Sequence, residues 1–207
     1  MPNGTPSGPV PSDMTFEQMN ALIAFRTIWL ELAMWTREFV YSIVDNHPSQ
    51  TAVTNRLYTG VPLNFYNALV VFYGPEIAED FLGRMSRFIL RIWRLVDAIK
   101  SNRSDLVNDI AMSLYQGAND DAAFLESVNP NWDRTTWSNF YIQYLSMLNE
   151  LILSIFQGNY ENEIRVFDRL QNLSILMGSN MARGIIQSRS RRQAEPTEPT
   201  EPIGTNQ

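Results

Sequence analysis

Apolar residues recur at intervals of three and four through long segments of this chain. Between Trp137 and Ile155 they form one stripe, with polar side chains off it. The members are Trp137, Phe140, Tyr141, Tyr144, Leu145, Leu148, Leu151, Ile152 and Ile155. A second stripe after Pro75 comprises Phe81, Met85, Phe88, Ile92, Leu95, Val96 and Ile99. This period is typical of the buried face of an α-helix, so the sequence predicts an all-α fold whose aromatic and methionine side chains form the core.

Proline, glycine and asparagine divide these periodic segments into helices, because they end or restart helical backbone. The predicted helices cover residues 15–45, 50–58, a segment that resumes after a break at 60–62 and ends at 73, 75–100, 103–116, 119–128, 133–157 and 160–187. We therefore expect an antiparallel bundle of about four long helices plus shorter, broken helices.

An internal echo supports the same architecture. Leu57-Tyr58-Thr59-Gly60 recurs as Leu114-Tyr115-Gln116-Gly117, and each copy precedes a turn and a long apolar-periodic helix. Self-similarity of this kind predicts a bundle built from an internal pseudo-repeat of helical hairpins.

The composition fits one domain with irregular ends. A chain of 207 residues that is 44% apolar is long enough to bury a core, which we place at residues 14–187. Residues 1–13 are rich in proline, glycine and serine, and residues 188–207 contain an arginine cluster and three Glu-Pro pairs. Both ends are predicted to be disordered, the second serving as a linker or solubiliser. The first segment lacks the pattern of a secretory signal, so we expect a cytoplasmic protein.

Charge and residue usage exclude several classes of protein. The net charge of -6 does not suit nucleic-acid binding, and the absence of cysteine removes disulfides and thiolate sites. No transmembrane segment is expected, since Arg26, Glu31, Arg37 and Glu38 interrupt the most apolar window. Peripheral membrane contact is not expected either, because it needs a surface rich in exposed Trp or Phe.

The sequence is nearly empty of catalytic signals. His47 is the single histidine and lies in an Asn-His-Pro turn, and no Glu-x-x-His, phosphate loop or nucleophile motif occurs. Glu31, Asp97, Glu150 and Asp168 could form an all-carboxylate metal site if they faced inward, but we expect them to be exposed or paired with arginine. We predict a non-enzyme without a cofactor or metal.

Four arginines form a ridge on the helix after Pro75. Arg84, Arg87, Arg91 and Arg94 fall within an arc of about 80° on an α-helix, away from the apolar stripe. One interpretation is a solvated flank paired with acids such as Asp80. The other is an anion-binding or partner-docking surface, because arginine binds carboxylate and phosphate bidentately.

Six short motifs follow one another along the chain. They are W-L-E-L-A-M-W-T-R at 29–37, T-N-R-L at 54–57, Y-G at 73–74, N-P-N-W at 129–132, E-I-R-V-F-D at 163–168 and G-I-I at 184–186. They resemble the motifs of an uncharacterised family of small bacterial helical proteins, mainly Gram-positive, in which the first motif reads W-x-x-H-x-x-W-T-R. The similarity runs from about residue 29 to 187. It implies a helical bundle and carries no established activity.

The same resemblance implies an interior site that this chain has lost. Family histidines fall at Leu32, Phe88 and Tyr144, and a family acid falls at Ser179. The equal spacing of the first three positions agrees with the internal repeat and puts them on equivalent helices facing one interior.

We therefore expect a non-enzymatic helical bundle with a structural or protein-interaction role, which associates with itself or with another protein. The alternative is a small-ligand or metal-binding bundle whose ancestral interior site has degenerated at Leu32, Phe88 and Tyr144.

Overall fold

The computed structural model describes residues 14–194, with side chains as far as Ser190. Its elements are α1 (Phe16–Val44), α2 (Gln50–Asn55), a π-helical segment (Arg56–Gly60), α3 (Val61–Lys100), α4 (Ser104–Val128), α5 (Arg134–Phe156) and α6 (Tyr160–Ala194). This described part contains no strand, so the predicted all-α bundle is confirmed. The segments 1–13 and 195–207, which were predicted to be disordered, lie outside the described residues.

Helix α3 is a helical hairpin that reverses at Gly74. That glycine has φ 80° and ψ 174°, a conformation closed to other residues, and Pro75 starts the returning helix. The rings of Phe65 and Phe81 lie 5.1 Å apart, whereas a straight helix would separate them by about 24 Å. The predicted turn at this point is confirmed.

Helices α1 and α6 run antiparallel. Along the α1–α6 pair, Arg37 meets Glu163 at one end and Glu17 meets Arg189 at the other. The backbones approach each other closely near Gly178, where an added Cβ would lie 2.6 Å from the Cα of Arg26. A residue without a side chain is therefore what lets these helices touch.

The core centres on Trp29 of α1. Its ring contacts Phe65 at 5.1 Å, Trp137 at 5.8 Å, Tyr141 at 6.1 Å and Tyr144 at 6.5 Å between centroids. Every member of the stripe predicted in α5 is buried, and so is the stripe after Pro75 except for the half-buried Ile99. The predicted core is confirmed. None of the helices between residues 14 and 194 combines the length and apolar character that a membrane crossing requires.

The predicted break at residues 60–62 is wrong, because the chain stays helical there. The N–H of Val61 donates to the carbonyl of Arg56, five residues back, which makes a π-helical turn. In a regular helix the ring of Pro62 would clash with the carbonyl four residues before it, and the wider turn relieves that clash.

Two other predicted boundaries are also wrong. Helix α4 continues through residues 116–119 because Gly117 is buried beneath Arg91, and this packing outweighs the cost of about 1 kcal/mol for a glycine in a helix. Helix α6 continues past residue 187 to Ala194, and Arg189 pairs with Glu17 and lies over Phe72. Within the described residues the bundle has five long helices rather than about four, namely α1, the returning part of α3, α4, α5 and α6.

Candidate interaction surface

An apolar groove opens between α1, the π-helical segment and the returning part of α3. Its volume is about 230 Å³. The lining residues are Phe39, Thr54, Leu57, Tyr58, Ile89, Leu90 and Trp93. Because almost all of these side chains are apolar, the groove suits an apolar group and offers few hydrogen bonds.

Local packing around Arg56 fixes the π-helical wall of the groove. The guanidinium lies 5.5 Å from the ring centre of Trp35 and forms a 3.1 Å ion pair with Glu31. It also passes close over Gly60, where any Cβ would collide with it. In this turn Leu57 points into the core while Tyr58 remains on the surface.

Two large aromatic side chains stand exposed on opposite walls of the groove. Tyr58 is 44% exposed and Trp93 is 41% exposed, although both border apolar neighbours. Exposed aromatic residues beside an apolar depression are typical of protein interfaces, whose centres are enriched in Trp and Tyr.

The arginine ridge divides into two pairs, and the first pair packs against α4. Arg84 forms ion pairs with Asp80 at 3.2 Å and Asp121 at 3.1 Å, and it lies 4.3 Å from the ring centre of Phe124. The guanidinium of Arg91 lies on Gly117. The predicted pairing of Arg84 with Asp80 is confirmed, and these two arginines belong to the contact between α3 and α4.

Asp121 is the carboxylate of α4 that faces the ridge. Burial raises the pKa of its carboxyl, while the hydrogen bond from Arg84 and the charges of Arg91 and Arg87 act to lower that pKa. The net direction is upward because the side chain is largely withdrawn from water. Arg84 is therefore the partner that makes a charged carboxylate tolerable at this position.

The second pair, Arg87 and Arg94, is exposed to solvent. Within residues 14–194 neither forms an ion pair, although Arg87 interacts at longer range with Asp121. At 100° per residue, Leu90 lies between Trp93 and Arg94 around the helix axis. The apolar groove and the two exposed arginines are thus adjacent parts of one surface, which we call the α3 surface.

The three interior positions that the resemblance implied are all buried. Phe88 and Tyr144 meet at 6.1 Å between ring centroids, and Leu32 lies in the same core. Burial raises the pKa of Tyr144, whose hydroxyl has no hydrogen-bond partner among the described residues. The indole N–H groups of Trp29, which contacts Tyr144, and of Trp137, which contacts Trp29, also have no partner among the described residues.

The other sequence candidates are not brought together. His47 is exposed and its ring bonds to Ser49 at 2.7 Å. Glu31 pairs with Arg56, Asp97 pairs with Arg103 just after the end of α3, and Glu150 of α5 pairs with Arg169 of α6. Across residues 14–194, no group of three or more His, Asp or Glu side chains is placed to hold a metal ion.

Besides the contact of Arg56 with Glu31 and Trp35, the motifs that carry the resemblance meet in two further clusters. In the first, Arg37 of W-T-R holds Glu163 of E-I-R-V-F-D. In the second, Asn129 donates to the hydroxyl of Tyr73 at 2.8 Å, and Trp132 packs on Gly184. These residues join distant helices, so the motifs have a structural role in this fold.

The two copies of the echo have similar surroundings despite different backbones. Leu57 and Leu114 are buried, Tyr58 and Tyr115 are exposed, and an arginine lies over the glycine of each copy. One copy is π-helical and the other is inside α4. A common origin for the copies stays a prediction.

Sequence reasoning missed the groove and the buried carboxylate of Glu163. A signal for the groove existed, because Trp93 lies off the apolar stripe of its helix and so had to face something other than the core. Nothing local marked Glu163, whose carboxylate is paired with Arg37 of α1, a residue far away in the sequence.

No known protein family has a model that matches this chain. No curated protein and no solved structure matches it either. The resemblance to bacterial helical proteins therefore stays a prediction.

Proposed function

We propose that this protein is a non-enzymatic helical bundle that binds another protein chain through the α3 surface. The observation that carries the proposal is the exposure of Trp93 and Tyr58 beside an apolar groove and next to Arg87 and Arg94. Both aromatic rings are about half exposed to water, so a partner that buried them would gain the free energy of removing apolar surface from water.

The residues of the α3 surface indicate what kind of partner would bind there. An apolar or proline side chain fits the groove, where the rings of Trp93 and Tyr58 supply contact area at little cost in side-chain entropy. Carboxylates of the partner pair with Arg87 and Arg94, which bind them in a bidentate manner. The expected partner is thus an acidic segment with apolar anchors.

Site-specific photo-crosslinking tests the proposal. A photoreactive amino acid replaces Trp93 in the full-length protein, with a matched control at Ile164, an exposed apolar residue of α6. We expect a covalent adduct with a defined protein chain from position 93 only. Binding of the purified partner should then weaken at least tenfold when Arg87 and Arg94 are both changed to Glu.

The charge control uses two exposed arginines of another helix. Changing Arg165 and Arg183 to Glu alters the net charge equally but leaves the α3 surface intact. Equal adducts from positions 93 and 164, or equal loss of binding in both double variants, would show that the α3 surface is not the binding site.

A second candidate function has its own observation. The unpartnered hydroxyl of Tyr144 and the unpartnered indoles of Trp29 and Trp137 suit a small polar ligand in the aromatic interior. Native mass spectrometry of gently purified protein tests this alternative. A retained mass that is lost in Tyr144→Phe supports it, and a wild-type protein of bare chain mass refutes it.

A cytoplasmic location, the pseudo-repeat and kinship with the bacterial helical proteins belong to the same proposal. They are supported by the sequence patterns described above.

A further inference from the structure

We infer that the segment which occupies the α3 surface is the Glu-Pro tail of a second copy of this chain. The inference rests on the proposed function and names its partner. The tail reads Glu-Pro-Thr-Glu-Pro-Thr-Glu-Pro over residues 195–202, and it combines the acidic and apolar groups that this surface suits.

The glutamates of the tail are opposite in charge to Arg87 and Arg94 and have a similar spacing. A segment with proline at every third position favours the polyproline II conformation, in which Glu195, Glu198 and Glu201 would follow one another on one edge about 9 Å apart. Arg87 and Arg94 are separated by about 10 Å along the axis of α3. Neighbouring glutamates of the tail can therefore meet both arginines at once.

The prolines of the tail suit the apolar groove. They alternate with the glutamates, so they lie on a different edge of the extended segment. Proline-rich segments bind grooves lined by aromatic side chains, which bury the pyrrolidine rings while the stiff segment loses little entropy. Trp93 and Tyr58 provide such a groove directly beside the arginines.

Geometry favours the tail of another copy over the chain's own tail. Helix α6 passes Arg37 at Glu163 and reaches Glu17 at Arg189, so its end points away from the groove. Along α1, the level of Glu17 is about 33 Å from that of Phe39, which lines the groove. The backbone of residue 201 reaches at most about 25 Å beyond Ala194, whereas a second copy can present its tail to the surface without this limit.

Analytical ultracentrifugation of the full chain tests this inference. We expect association that depends on protein concentration and weakens in high salt. The surface variant Arg87→Glu/Arg94→Glu and the tail variant Glu195→Arg/Glu198→Arg/Glu201→Arg should each lower the association constant at least tenfold. The control Arg165→Glu/Arg183→Glu should leave the association constant unchanged.

A mixture of the surface variant and the tail variant gives the decisive result. The arginines in the tail of one variant can pair with the glutamates on the surface of the other, so the association constant in the mixture should be within a few fold of the wild-type value. Circular dichroism confirms that each variant is folded before it is compared. Copies that stay monomeric, or that associate equally well in the surface variant, overturn the inference.

The crosslinking experiment tests the proposed function separately from the tail inference. If the tail has no effect but position 93 still crosslinks to another protein in a manner that depends on Arg87 and Arg94, the tail inference is wrong and the proposed function stands. If position 93 gives no specific adduct and the copies do not associate, both are wrong.

Discussion

Arg37 of α1 holds Glu163 of α6 in a bidentate pair across the bundle. The guanidinium Nε lies 2.5 Å from Oε1 and a terminal nitrogen lies 3.1 Å from Oε2. Glu163 is 1% exposed and Arg37 is 26% exposed, so the buried carboxylate depends on Arg37, with Tyr41 interacting with it as well. The guanidinium also lies 4.7 Å from the ring centre of Phe167, and its bond to Glu163 raises the pKa of Arg37.

Removing Glu163 should therefore be costly. We expect Glu163→Ala to lower the free energy of unfolding by about 2 kcal/mol, because it leaves a partly buried guanidinium without its acceptor. Chemical denaturation measures the change. Arg169→Ala is the control, since its pair with Glu150 is about half exposed and should contribute less than about 0.5 kcal/mol. Equal losses in both variants would contradict a special role for Glu163.

The close approach of α1 and α6 predicts a strong effect of one added methyl group. We expect Gly178→Ala to cost about 2 kcal/mol or more, because its Cβ would lie 2.6 Å from the backbone of Arg26 and neither helix can yield cheaply. Gly83→Ala is the matched control. Its Cβ would meet only the end of Arg87 at 3.4 Å, so better helix propensity should make it neutral or stabilising by up to about 1 kcal/mol. Thermal unfolding of both variants distinguishes the two environments.

The hairpin between α5 and α6 should respond to acid. The hydrogen bond from Asn162, followed by that from Arg169, holds the pKa of Glu150 below its ordinary value of 4.5. A carboxyl whose pKa is lower in the folded state stabilises the fold above its unfolded pKa, and this contribution disappears as pH falls through the folded pKa.

Wild type should therefore exceed Glu150→Gln in stability at pH 7 by a fraction of a kcal/mol, since the side chain is half exposed. As the pH falls below 4.5 and then through the lower pKa of the folded state, the difference should fade. Denaturation at several pH values measures this trend. In an Asn162→Ala background the pH-dependent part should shrink, and an unchanged pH dependence there would rule out Asn162 as its source.

The division of the arginine ridge predicts unequal effects on stability. Arg84→Glu should lower the free energy of unfolding by about 2 kcal/mol, because it puts a third carboxylate beside Asp80 and Asp121. Arg87→Glu should change it by no more than about 0.5 kcal/mol, because that side chain is exposed and unpaired within the described residues. If Arg87→Glu is the more destabilising variant, the assignment of Arg84 to the α3–α4 contact is wrong.

Two glycine-proline segments show which backbone breaks could be predicted from the sequence. Gly74-Pro75 has a glycine for an unusual backbone conformation and a proline suited to a first helical turn, so the reversal of α3 was predictable. Gly60-Val61-Pro62 carries the same residue types but remains helical. The difference lies in Arg56 and Glu31, which support a π-helical turn through contacts that no local pattern encodes.

The site divides in the same way. The ridge of four arginines was visible from its spacing on a helix, but the spacing could not show which arginines α4 covers. Arg84 pairs with Asp121 and Arg91 packs on Gly117, both of which belong to α4. The other two arginines of the ridge, Arg87 and Arg94, are exposed. The groove is equally a product of three segments that lie far apart in the chain.

The sequence by itself determined the all-α class, the buried stripes and the reversal at Gly74, because these depend on periodicity and backbone conformation within a few turns. Only the tertiary structure decided that Glu163 is buried, that Tyr58 and Trp93 share a groove and that Arg87 and Arg94 are exposed. Burial and pairing depend on which helix lies opposite, and that is set by the packing of the whole bundle.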